Sequence, residues 1–113
     1  MLSKILSLLA DLEESKASGL IEVIGENVDA EYLKEVKGVN INQDLINEYG
    51  RDMKIVYTPL HGTGEMLARR ALAQAGFEAV QVVEAQAVPD PDFSTVKSPN
   101  PENQEAFALA EEL

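Results

Sequence analysis

The residues with the most chemical potential lie in one run, Tyr57-Thr58-Pro59-Leu60-His61-Gly62-Thr63-Gly64. The run follows Ile55-Val56-Tyr57, a β-branched and aromatic stretch too short for a helix, and precedes residues 65–75, which return to helical period with Leu67, Ala68, Ala71, Leu72 and Ala75 apolar. It therefore sits where a strand ends and a helix begins, the end of an open α/β sheet at which ligands bind. Two glycines let backbone N–H groups approach a ligand closely, and the helix N-terminus behind them favours negative charge. Anion or phosphate binding is the chemistry such a turn can do. The candidate ligand-contacting residues of this turn are His61, Gly62, Thr63 and Gly64. Each also has a purely structural reading, His61 as a tie for the turn and the others as turn-formers.

Two familiar phosphate motifs fit poorly. A dinucleotide fingerprint would use Gly62 and Gly64 with Glu84 about twenty residues on, but Leu67 stands where the third glycine belongs. A P-loop would need Gly-Lys-Ser/Thr to close the turn, and the chain has none there. Asp90 and Asp92 offer oxygen ligands of the kind magnesium takes. Flanking prolines make a turn the simpler reason for that pair, so no metal site is assigned.

The elements around the run give the architecture. Gly76 is placed to end the helix, and Val80–Val83 reads as a second strand, so residues 53–84 form a βαβ core whose strands should be parallel and whose crossover should be right-handed. Residues 85–101 hold four of the five prolines and must be a long loop. Asn100 as cap and Pro101 at the first helical position then start a helix with Ala106, Leu109, Ala110 and Leu113 on its apolar face, cut off in mid-helix at residue 113. Upstream, Leu2, Ile5, Leu6, Leu9 and Leu12 predict one amphipathic helix through about residue 17, and Leu20–Val23 a short extended run. A second helix is capped by Asn27 or Asp29, has Leu33 and Val36 inward, and ends at Gly38. A third runs from Asn42 to a stop at Gly50.

Composition bounds the partners. Twenty acidic against nine basic residues in 113 give a net charge of −11, which repels nucleic acid and anionic membrane surfaces. The absence of cysteine excludes disulfides, thiolate zinc sites and a thiol nucleophile, and one histidine excludes a His-rich metal site. The acidic residues Asp11, Glu13 and Glu14 follow the N-terminal apolar stretch at once, so the start reads as an amphipathic helix of a cytoplasmic protein and not as a signal peptide.

The segments Lys54-Ile55-Val56-Tyr57-Thr58-Pro59-Leu60-His61-Gly62-Thr63-Gly64, Ala75-Gly76-Phe77, Pro89-Asp90-Pro91-Asp92-Phe93 with Thr95-Val96, and Pro99-Asn100-Pro101-Glu102 are similar, in order and spacing, to the second domain of the α-D-phosphohexomutases, the phosphoglucomutase/phosphomannomutase family. Ile21 to Glu26, Asp29 and Tyr32 resemble the lead-in to that domain. Glu84-Ala85-Gln86 stands where Glu-Gln is usual, and Ser94 replaces a common proline.

The resemblance implies an α/β three-layer-type fold with a small mixed, mostly parallel sheet and flanking helices, truncated at the C-terminus. It divides the chain into a lead-in over 1–19 and a partial second domain over 20–113. It implies a parent enzyme that moves a phosphoryl group between the C1 and C6 oxygens of a hexose phosphate through a phosphoserine and a bisphosphorylated intermediate. The family's serine motif, Thr-Ala-Ser-His-Asn-Pro, is not in this chain, and its Asp-x-Asp-x-Asp-Arg magnesium loop would begin after residue 113. The expectation is therefore magnesium and hexose phosphate for the parent, no cofactor and no catalytic residue in these 113, contacts with the parent's other domains, and self-association of the isolated chain through uncovered apolar surface. Two other classes stay open: a stand-alone acidic interaction module, and a small Rossmann-like nucleotide-binding domain.

Overall fold

The computed structural model of the chain describes residues 11–113. The chain divides into two units, Met1–Ala30 and Glu31–Leu113. In the first, α1 spans Leu12–Ala17. Asp11 has extended backbone and its carboxylate accepts from the N–H groups of Glu13 at 2.9 Å and Glu14 at 3.1 Å. That N-cap corrects the expectation of one uninterrupted helix through residue 17, because a short carboxylate with extended backbone satisfies the first-turn donors and the helix begins at Leu12. Residues 1–10, which carry the rest of that expectation, lie outside the described residues. Leu20–Val23 pairs with no strand among the described residues, and Leu20, Ile21, Val23 and Ile24 are exposed.

Helix α2 spans Glu26–Gly38. It starts ahead of Asn27 and Asp29, which lie inside its first turn and do not cap it; acidic Glu26 and Asp29 there suit the positive end of the helix. In the second unit Leu33 is buried, and Leu33 and Val36 face Ala71 and Ala75 across a void of about 20 Å³. Helix α3 spans Gln43–Tyr49; Asn42 flanks it without a side-chain cap. Gln43 Nε2 instead donates to Ala75 O at 2.9 Å, tying α3 to the next helix. Gly50 ends α3 for a reason of space: at φ −62° any residue would fit the backbone, but a Cβ would stand 2.5 Å from Ile46 O and 3.0 Å from Gly76 O.

Strand β1 (Ile55–Tyr57), helix α4 (Glu65–Ala75) and strand β2 (Val80–Val82) form the βαβ unit. The strands are parallel in the register Ile55↔Val80, Val56↔Gln81 and Tyr57↔Val82. Alternation puts Ile55, Tyr57, Val80 and Val82 on the covered face and leaves Val56 and Gln81 exposed on the other. Val83, read from sequence as the last residue of β2, is buried but falls just outside the ladder.

Gly76 ends α4 at φ +113°; its N–H bonds Ala73 O at 3.1 Å and the Phe77 N–H bonds Leu72 O at 3.1 Å, the Schellman pattern. Gly76→Ala places a Cβ in left-handed backbone and is expected to cost about 1–2 kcal/mol, read as a lower urea midpoint at unchanged slope.

The last segment corrects the expected helix over 101–113. Asn100 does cap a turn, its Oδ1 accepting from Glu102 N–H at 3.0 Å, but Asn103 is extended (φ −88°, ψ 115°) and breaks propagation. The chain continues as a 3₁₀ turn at Gln104–Phe107 and one turn of α5 at Ala108–Glu111. One closed turn does not repay helix nucleation, and Asn competes for its own backbone. Leu109 and Leu113 lie beside Gln81–Ala85.

Candidate functional site

The carboxyl end of β1 meets the proline-rich segment after β2 through a hydrogen-bonded network in which His61 and Gln86 are buried, Thr58 is half-buried and Thr95 is exposed. Pro59 O accepts from Gly62 N–H at 2.9 Å, closing a turn whose two central residues, Leu60 (φ 48°) and His61 (φ 62°), both have positive φ. That is the signature of a mirror-image turn, normally made by Asn and Gly. Non-glycine residues hold such backbone only when their surroundings over-determine it, at about 1–3 kcal/mol each.

The surroundings do so. Leu60 and His61 are buried, at 7% exposure each. Leu60 N–H donates to Thr58 Oγ1 at 3.0 Å, and His61 N–H to Gln86 O at 2.9 Å. The His61 ring bonds at both nitrogens, Nδ1 to Val88 O at 3.0 Å and Nε2 to Thr95 Oγ1 at 2.8 Å, and meets Phe93 edge-to-face at 6.4 Å. Gln86 is fully enclosed at 0% exposure; Thr58 Oγ1 lies 2.6 Å from its Oε1 and Thr95 Oγ1 3.1 Å from its Nε2. Among the described residues no buried side-chain nitrogen or oxygen lacks a partner.

Asp90 holds the far tip of this segment. Its carboxylate accepts from Asp92 N–H at 2.9 Å, Ser94 N–H at 2.9 Å and Ser94 Oγ at 2.6 Å, and the Ser94 hydroxyl, then the two backbone donors, lower its pKa from 3.8 to about 2. With the folded value depressed, this stabilisation is complete above the unfolded value near 3.8 and is lost as pH falls through about 2. Ordering of residues 90–94, followed by their amide shifts, is expected to fade between those values, and Asp90→Asn should remove that pH dependence.

Of the four residues singled out from sequence, the structure buries His61, half-buries Gly62 and exposes Thr63 and Gly64. The Tyr57 phenol lies against Gly64, where a Cβ would meet its hydroxyl at 3.3 Å; burial, then the Glu65 carboxylate, push its pKa up, so the hydroxyl stays protonated. Arg69 is held between Glu65 and Glu84 on the surface. Asp90 and Asp92 do not make a cation site: the oxygens of Asp90 are engaged within the turn, and among the described residues no group of three or more histidine or acidic side chains could hold a metal. Sequence reasoning missed Thr58, Gln86 and Thr95. The available signal was a lone amide just after the buried pair Val82-Val83, at the position where the sequence departs from Glu-Gln.

Residues 30–113 match the family model for phosphoglucomutase/phosphomannomutase, alpha/beta/alpha domain II. The chain belongs to this family. A phosphoglucomutase of Staphylococcus haemolyticus (strain JCSC1435) is 52% identical over 59 residues, covering 52% of this chain and 11% of that protein. A phosphoglucomutase of Staphylococcus aureus (strain USA300) is 36% identical over 94 residues, covering 82% of this chain and 16% of that protein. The chain thus spans less than a fifth of the length of these relatives. No solved structure matches it. As a phosphohexomutase domain II it has the expected α/β class, with a parallel two-stranded sheet and flanking helices. No helix among the described residues is long and apolar enough to cross a membrane.

Proposed function

We propose that this chain is a domain II portion of a cytoplasmic phosphohexomutase that interconverts hexose 1-phosphate and hexose 6-phosphate through a phosphoserine and a bisphosphate intermediate. The match of residues 30–113 to the family's second domain carries the reading, and the name shared by both relatives supports glucose phosphate as substrate. In the parent the serine, the sugar-reading loops and the magnesium loop come from residues outside these 113. Magnesium, when bound, would stabilise charge on the phosphoryl group in transfer. None of the described residues fits the holding of that ion.

The chain's own contribution is positional. The loop His61–Gly64 at the carboxyl end of β1 faces the parent's cleft, with His61 anchoring it from behind and Thr63 and Gly64 outward. Val56 and Leu113, exposed at 41% and 54%, are surface for the rest of the parent to cover.

By itself the chain is expected to give no detectable turnover of glucose 1-phosphate. The stronger test is a chimera in which the 94-residue matching segment of the S. aureus phosphoglucomutase is replaced by the corresponding residues of this chain. Activity within about a hundredfold of the parent, a barrier change of about 2.7 kcal/mol, is the expected result. A folded chimera without activity would contradict the reading.

A further inference from the structure

We propose that residues 87–96 form a strap that opens and closes as one unit with the strained Leu60–His61 turn, latched by the Thr95–His61 hydrogen bond. The device is built from this chain's own residues and stands whether or not the parent is a mutase.

The latch has one proton arrangement. Val88 O can only accept, so in the neutral ring His61 Nδ1 carries the proton and Nε2 presents a lone pair. Thr95 Oγ1 then donates to Nε2, and the same oxygen accepts from Gln86 Nε2. This orients the Gln86 amide with Oε1 toward Thr58, whose hydroxyl donates to it while accepting the Leu60 N–H. Donation runs one way, from Leu60 N–H through Thr58, Gln86, Thr95 and the His61 ring to Val88 O. A chain of this kind is satisfied as a whole or broken as a whole, because each hydroxyl or amide that loses its partner misorients the next.

Backbone ties join the same pieces. His61 N–H bonds Gln86 O at 2.9 Å ahead of the strap, and Asp90 N–H bonds His61 O at 3.3 Å within it. Once the strap lifts, the ring, the Thr95 latch and the Asp90 tie no longer hold Leu60 and His61 at positive φ, and the turn relaxes toward ordinary backbone. Turn geometry and strap closure are therefore one two-state element.

The test is NMR on the 15N-labelled 113-residue chain, in which His61 is the sole histidine and its ring signals need no assignment. In the neutral ring a protonated-type Nδ1 and an unprotonated-type Nε2 are expected; the opposite tautomer overturns the proposal. Amide exchange is then compared at His61 and Gly62 in the turn, at Asp90 and Val96 in the strap, and at Ile55 and Val83, whose N–H groups bond Ala79 O and Tyr57 O at the two ends of the β ladder. Thr95→Val should speed exchange at all four turn and strap amides by roughly tenfold, leave the ladder unchanged, and be reversed by Thr95→Ser. Acceleration confined to the strap, with the turn untouched, overturns it. Should Thr95→Val also lose ladder protection, the unmodified chain decides: one common opening constant for the four amides upholds the device, and a difference beyond about tenfold between turn and strap refutes it.

Discussion

Replacing Gln86 with leucine is expected to destabilise the chain by about 2–3 kcal/mol, because the change leaves two hydroxyls without their partners at once. Gln86 is the only described side chain that is both large and fully enclosed, and Thr58 beside it is half-buried, so most of the cost falls on the Thr58 hydroxyl, while Thr95 is exposed to water. The Thr58 hydroxyl loses its acceptor at 2.6 Å and Thr95 Oγ1 loses its donor at 3.1 Å. Leucine has nearly the volume of glutamine, which keeps packing roughly constant and isolates the polar effect. Urea denaturation followed by far-UV circular dichroism reads the change as a lower midpoint. A shift equivalent to less than about 0.5 kcal/mol would mean the network is ornamental, which is the range of surface substitutions.

Leu33→Ala is expected to cost a similar amount, about 2–3 kcal/mol, at the low end of the usual range for a buried leucine. Leu33 is 3% exposed and is the sole buried residue of α2, so it joins that helix to α4. Only five described hydrophobic residues are buried, which makes each a large share of the core. Thermal unfolding of the variant should move well below that of the unmodified chain; an unchanged midpoint would show that α2 does not dock through Leu33.

Local signals carried much of the fold. The strand at Ile55–Tyr57, the helix over 65–75 and its stop at Gly76 were each legible because β-branched runs, a helical apolar stripe and a left-handed glycine act over a few residues. The parallel pairing followed from the helix between the strands. Where the sequence misled, a local choice was decided by a neighbouring polar group: the Asp11 cap interrupts an apolar stripe that looked continuous, and Asn103 halts a helix whose cap is well formed.

Of the polar network only His61, as a tie for the turn, was legible. Three of its bonds join residues 27, 28 and 34 positions apart, and no hydrophobic period marks a threonine or glutamine that will meet a histidine so far away. His61 was visible as a candidate because it is the sole histidine beside two glycines, but its partners were not. Leu60 and His61 also defeat turn rules, since both take backbone that the sequence would assign to glycine or asparagine. Tertiary contacts override local preference at this point.

The functional reading depends on these residues serving as the second domain of a longer phosphohexomutase. The most direct test is to read the coding DNA on both sides of this segment. One continuous reading frame is expected, with a Thr-Ala-Ser-His-Asn-Pro type serine motif upstream and an Asp-x-Asp-x-Asp-Arg loop within a few dozen codons downstream. Stop codons close on both flanks would contradict the reading and make the chain a stand-alone, non-catalytic module.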